Sequence, residues 1–414
     1  MNQTKSSPKD FNLMVAGQII SILGSSLLRF ALSLYVLDIT GRADIFATLF
    51  AISNIPLLLA PLGGAIADRF NRRNLMVIYD FTSSVIVLIF FLLMSAGNSS
   101  MILVGTIMVL LSIISSLYTP SVTASIPLLV EKSKLEGANG IVNAVQALSN
   151  VAAPLLGGIL YGVIGVKALI TISCISFFLS AVMEIFIKIP FVKRKQEGNI
   201  IPTIANDMKA GFVYVVKQPF ILKSMILAAL LNLLLTPFFI IGGPIILRVT
   251  MQSSENMYGI GMALINFATI LGALSIGFFA KRMKVKTLYR WIILIAILFI
   301  PIALSVTPFI LNLGYYPSYI LFIVCAIPVA MAMTIISIFV ITKVQKKTPD
   351  ENLGKVVAII TAVSQCAAPV GQLIYGFLFK AFSLKIYLPT LFVCLAMVII
   401  AVIGQRVLRN EEVA

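Results

Sequence analysis

The chain has 414 residues, 60% of them apolar and 11% charged, with a mean hydropathy of +1.06. A soluble domain carries about 25% charged residues, so this composition excludes one. Its 31 Lys and Arg against 15 Asp and Glu give a formal charge of +16. The absence of histidine excludes His-based metal sites, Ser-His triads and histidine proton relays.

A transmembrane helix needs about 20 mostly apolar residues. Twelve such runs follow one another: 12–37, 45–67, 75–96, 101–122, 139–163, 166–189, 221–247, 257–280, 288–311, 316–342, 353–379 and 384–405. Lipid offers the backbone no hydrogen-bond partners, so helices are expected, and the runs are too long for barrel strands. The first run is too long for a cleavable signal peptide. Cys174, Cys325, Cys366 and Cys394 all lie in such runs without CxxC spacing, so neither disulfides nor a cysteine zinc site is expected. The expected fold class is all-α integral membrane with about 12 transmembrane helices.

Orientation follows from the basic residues. Arg42, Lys167, Arg248, Lys380 and Lys385 fall on one side, Arg29 lies within a span, and the other basic residues share the opposite side. The positive-inside rule puts that richer side, with both termini, in the cytoplasm of a cell-membrane protein. The charges are scattered over short loops, so no nucleic-acid partner is expected. The longest loop divides the chain into a half at 1–189, a linker at 190–220 and a half at 221–414. Within the linker, Ile204, Met208, Phe212 and Val215 recur at helical spacing, which predicts an amphipathic helix on the cytoplasmic interface.

The two halves repeat. GGAIADRFNRR at 63–73 follows the second span and GFFAKRMKVK at 277–286 follows the eighth, an offset of 213 from Gly64 to Gly277. AAPLLGGILYG at 152–162 and AAPVGQLIYG at 367–376 set Pro154 against Pro369 at an offset of 215. Two independent segments thus give nearly one period, about half the chain. Pseudo-symmetric six-helix halves of this kind mark a secondary transporter with its site between them.

The corner Gly64 to Arg73 carries the most information. Gly64 is expected to let helices approach closely, and Asp68 to cap a neighbouring helix or pair with Arg72 as a gate. The segment resembles the G-x-L-a-D-r-x-G-r-k signature of the major facilitator superfamily, matching at Gly64, Asp68, Arg69, Arg72 and Arg73. Asn71 replaces the second glycine, as a residue that reaches left-handed backbone relatively well. The resemblance implies that the Asp and Arg gate cytoplasmic closure. Lys281 stands where the second copy would have its Asp, so the gate is expected to be asymmetric.

Pro154, Gly157 and Gly158 form a kinkable, smooth-faced stretch. It resembles the tail of the superfamily's antiporter signature, with Ala153 where that signature has Gly. The stretch YTPSVTASIPLLVEKSKLEGAN at 118–139, with GQIISILGSSLL at 17–28, DITG at 38–41 and TPDENLGKV at 348–356, resembles one branch of the superfamily. That branch contains macrolide efflux proteins and enterobactin-type exporters. It implies proton-driven export of amphipathic small molecules, including drugs, by a monomer with no cofactor but the gradient. The alternatives are a nutrient importer on the same fold and a translocase of lipid-like substrate.

Ionisable groups within spans are functional candidates. Arg29 either holds an anionic substrate group or exchanges partners during the cycle, unless it snorkels or makes a structural pair. Asp38 ends the first span and reads as a loop or cap residue. Asp80 is expected to join the Asp68–Arg72 network. Glu184 precedes Lys188 by four residues, the spacing of an interfacial ion pair. Uncharged candidates for a wet cavity are Gln18, Asn143, Gln146 and Asn150, with Asn232, Asn266, Gln365 and Gln372 as C-terminal counterparts. No HExxH, GxSxG or GxxxxGK[ST] motif occurs, so no enzyme activity is expected.

Overall fold

The apolar runs become helices, and their polar ends show why each begins or stops where it does. In the computed structural model, residues 8–98, 100–131, 135–189, 200–280 and 282–408 are described, and no strand occurs among them. Among the described residues ten helices are long and apolar enough to cross a membrane. Helix α1 (Pro8–Thr40) has 33 residues. At about 1.5 Å per residue it exceeds a hydrocarbon core of about 30 Å.

The second predicted run is broken. Helix α2 (Ala43–Asn54) passes through a 3₁₀ stretch (Ile55–Leu59) with Pro56 at its start, and then into α3 (Ala60–Arg69). Helix α4 (Arg72–Ser95) is capped by Asn71, and α5 (Met101–Leu129) by Ser100, whose Oγ accepts from Leu103 N at 3.2 Å. The fifth and sixth runs share the 51-residue α6 (Leu135–Ile185). It breaks at Gly165, whose φ of 73° a side chain rarely tolerates.

The predicted amphipathic segment is α7 (Ile200–Lys217), a helix one turn longer at its start. Helix α8 (Pro219–Pro237) runs into two π-helical stretches, Phe238–Gly242 and Ile245–Thr250. Then follow α9 (Glu255–Ala280), α10 (Leu288–Ser305), the short α11 (Pro308–Leu311), α12 (Tyr315–Lys347), α13 (Asp350–Ala381) and α14 (Tyr387–Leu408). Bulky side chains stay exposed along these helices, among them Leu92, Leu274 and Phe377, as a lipid-facing surface requires.

The chain divides into two units, one of residues 1–38 and 52–204, the other of residues 39–51 and 205–414. Within each, the same kinds of helix pair. The first packs α3 on α5, and α4 on the second arm of α6. The second packs α9 on α12, α10 on α14, and α13 on α8. Small residues set these seams. A Cβ on Gly63 of α3 would meet the Ser116 carbonyl oxygen of α5 at 2.8 Å, and one on Gly272 of α9 would meet the Met331 carbonyl oxygen of α12 at the same distance. Gly157 of α6 lies against the Phe30 ring of α1, and Gly371 of α13 lies directly against the Leu233 backbone of α8. The core of the second unit is aromatic. Phe238 stands edge-on to Phe299 at 4.8 Å and to Tyr375 at 6.1 Å.

Candidate functional site

The corner between α3 and α4 is tied by carbonyls. Phe70 turns extended (φ −113°, ψ 162°), and Arg72 then donates from Nε to Ala67 O at 3.0 Å and from Nη1 to Ala124 O at 2.8 Å. One guanidinium thus satisfies an orphan carbonyl in the last turn of α3 and also binds a carbonyl in the last third of α5, tying the two helices together. Two expectations need correcting. Gly64 has nothing within 4 Å of its would-be Cβ, so the close approach belongs to Gly63. Asn71 is not left-handed: with φ −64° and ψ 112° it caps α4, its side chain accepting from Arg73 N at 3.1 Å. The side chains of Asp68 and Asn143, and Lys281 as a whole, lie outside the described residues. The matching corner of the second unit uses rings instead. The Arg282 guanidinium sits 4.8 Å from the Phe278 ring centroid, and Phe279 stands edge-on to Trp291.

Asp80 and Glu184 are also elsewhere than expected. Asp80 is 3% exposed and accepts from Ser21 Oγ at 2.8 Å, so it sits inside the first unit rather than at the corner. Glu184 is fully buried and accepts from Tyr118 Oη at 2.8 Å. Its pairing with Lys188 fails because α6 ends at Ile185, beyond which helical spacing no longer applies. Lys188 is exposed, and its backbone N–H donates to Asp10 at 3.0 Å. The acids lie on a seam of small residues. Gly17, Ser21 and Gly24 of α1 share a face, and Ser180 and Ser173 of α6 donate across it to the Gly17 and Gly24 carbonyls at 3.0 and 2.8 Å.

Arg29 lies in the same unit at a cavity of about 30 Å³ lined with Ser25, Ser53, Ser112 and Ser115. It has no carboxylate partner among the described residues. Ser112 Oγ is buried there without a hydrogen-bond partner. The space holds about one water or one small polar group. Asp38 is exposed at the end of α1, and Gln146 and Asn150 are exposed on the first arm of α6. Gln18 is buried, its Oε1 without a partner.

The second unit holds a larger cavity, about 420 Å³, between α8, α12 and α13. Of the residues singled out in the sequence, Asn232 and Gln365 line it. Asn232 donates to Ala228 O at 3.0 Å and accepts from Thr236 at 3.3 Å. Thr334, Ser337 and Thr361 complete a polar stripe facing Leu231, Ile338 and Ile341. Among the described residues no charged side chain lines it. The volume and mixed lining are those of a small-molecule site. Asn266 bonds within its own helix to Met262 O, and Gln372 is buried. Among the described residues no cluster suits a metal ion.

The family model described as Major Facilitator Superfamily matches residues 14–372. The chain belongs to the major facilitator superfamily. Among its relatives in the superfamily, Macrolide efflux protein A of Streptococcus pyogenes is 23% identical over 94% of each chain. Enterobactin exporter EntS of Escherichia coli O1:K1 / APEC is 22% identical over 76% of this chain and 72% of that one. The nucleoside transporter NupG superposes with a TM-score of 0.74 at 13% identity, covering 97% of this chain and 100% of that one. This likeness shows the superfamily fold. The sequence pattern that resembled the superfamily, and its macrolide and enterobactin branch, is met by these relatives.

Proposed function

We propose that the chain exports amphipathic small molecules by alternating access, driven by the proton gradient. The cavity between α8, α12 and α13 carries this reading. Its neutral polar stripe on an apolar wall suits a molecule that is greasy on one side and hydrogen-bonding on the other. The relatives named for efflux and export support the direction. Arg29 and the unpartnered Ser112 hydroxyl offer a place for one anionic or strongly accepting group of the substrate. Asp68 and Arg72 regulate closure at the cytoplasmic end. The twelve crossings count the arms of α6 separately and take Ala43–Arg69 as one, with both termini cytoplasmic. The protein works as a monomer whose partners are its substrate and the bilayer.

Inverted membrane vesicles energised by proton pumping should accumulate a radiolabelled macrolide when they contain the protein, and collapse of the proton gradient should abolish this. Accumulation by intact cells under an inward proton gradient would sink the exporter and favour an importer. Movement of a labelled phospholipid between leaflets, with no macrolide movement, would favour a lipid-like substrate.

A further inference from the structure

Asp80 and Glu184 form a pair that the sequence does not announce. Four helices enclose it. Helix α1 contributes Gly17 and Ser21, α4 contributes Asp80, α5 contributes Tyr118, and α6 contributes Ser180 and Glu184. Glu184 Cγ would lie 3.7 Å from a Cβ on Gly17, which places the glutamate against α1 one turn from Ser21. The two carboxyls interact electrostatically with each other. Each accepts one short hydroxyl hydrogen bond, and each keeps one buried oxygen, Asp80 Oδ2 and Glu184 Oε2, with no hydrogen-bond partner. Phe11, Met14, Met76 and Ile187 pack around Tyr118 beside them. Among the described residues no Lys or Arg bridges either acid. Other titratable groups at this end are Tyr79, partly buried against the same cluster, Asp10, which accepts from the Lys188 N–H, and the exposed Lys9 and Lys188.

An uncompensated carboxylate in such surroundings takes up a proton instead of remaining charged. Two of them within one buried cluster repel, and the repulsion grows as the dielectric falls. A bound proton removes one charge and turns an acceptor-only oxygen into the donor that the orphaned oxygens lack.

We propose that Asp80 and Glu184 hold one exchangeable proton between them, and that this is the proton exchanged for substrate. The inference rests on the proton-driven reading above and names the residues that would carry it. When water reaches the pair, the proton leaves to it and the Ser21 and Tyr118 hydroxyls, which already donate to the two acids, remain to solvate the new charge. That charge appears on the seam of Gly17, Gly24, Ser173 and Ser180, where α1 and α6 meet with little interlocking bulk. Protonation and helix packing are therefore linked at one place, as coupling requires.

Infrared spectra of the purified full chain in lipid should show a protonated carboxyl at neutral pH that disappears on alkalinisation and is missing from the D80N/E184Q double variant. This arm needs no substrate, and its wild-type half needs no variant to fold. In inverted vesicles, E184Q and D80N should each lower gradient-driven uptake of radiolabelled macrolide by more than about tenfold. Exchange of the macrolide at equal concentrations on both sides should persist. Absence of a protonated carboxyl at neutral pH overturns the pair. So does full gradient-driven uptake in both single variants. If the wild type carries the protonated carboxyl but moves no macrolide with the gradient, the coupling half falls together with the exporter reading, while the held proton stands.

Discussion

The two units use matching helix pairs and place opposite chemistry on them. The first keeps its polar groups in small, charge-bearing sites: Arg29 among serines at about 30 Å³, and Asp80 with Glu184 on the α1–α6 seam. The second has a cavity of about 420 Å³ whose described lining is uncharged, its polar groups being hydroxyls and amides. The packing rules are shared, since glycines set the corresponding seams in both. Divergence between the repeats is thus a matter of side chains on a common frame. It separates sites fit for a proton or a single ion from a site fit for a bulky neutral surface.

The largest effect should come from the frame itself. Gly157 faces a ring that can swing away, whereas Gly371 faces backbone that cannot. Gly371→Ala should destabilise by about 1–3 kcal/mol, as overpacking does, and Gly157→Ala by less. Thermal melting of the detergent-solubilised protein followed by size exclusion checks the pair. Equal losses would mean that the Phe30 ring is held as firmly as the Leu233 backbone. Next, Arg29→Ala should cut transport of substrates bearing an anion by about tenfold, the scale of one charge-assisted hydrogen bond, while neutral substrates keep their rates. A uniform loss would move Arg29 from recognition to structure. Asn232→Ala and Gln365→Ala should each raise KM by about two- to tenfold, the scale of a neutral hydrogen bond, and shift which drugs are resisted. If these variants instead flatten the pH profile, the division between charged and neutral units is wrong.

Much of the frame was legible because the bilayer leaves the backbone few options. Apolar length located the long helices. The misreadings are local and have physical reasons. Gly63 and Gly64 are adjacent, and only the helix rotation decides which one faces α5. The spacing of Glu184 and Lys188 held no information once the helix ended between them. Asp80 is twelve residues from Asp68 in sequence, yet its partner Ser21 lies on another helix, fifty-nine residues away. The signal that could have found the acids was their company: serines and glycines at 17, 21 and 24 and at 173, 176 and 180 make two complementary small faces. Asn232 and Gln365 were found because amides are rare in such runs, whereas Thr334, Ser337 and Thr361 look like ordinary helix hydroxyls bonding back to carbonyls.

The smallest effect concerns a segment that sequence order assigns to one half and packing to the other. Residues 39–51 group with the second unit, where Ala47 lies directly against Gly376 and Lys380 Nζ reaches Asp44 Oδ2 at 2.9 Å. Arg42 donates to the same carboxylate at 2.7 and 3.1 Å. These Arg42 hydrogen bonds, with Lys380 adding to them against the cost of burial, hold Asp44 well below the usual carboxylate range. The folded-state value is depressed, so the contribution is complete above the unfolded value of about 3.9 and is lost as pH falls below it. At neutral pH the link is therefore fully formed, but it is weak because Lys380 is 53% exposed. Lys380→Ala should cost under about 1 kcal/mol, and less as salt is raised. A double-mutant cycle with Asp44→Asn measures the term directly. Strict additivity at low salt would leave the Ala47–Gly376 contact alone holding the segment to the second unit.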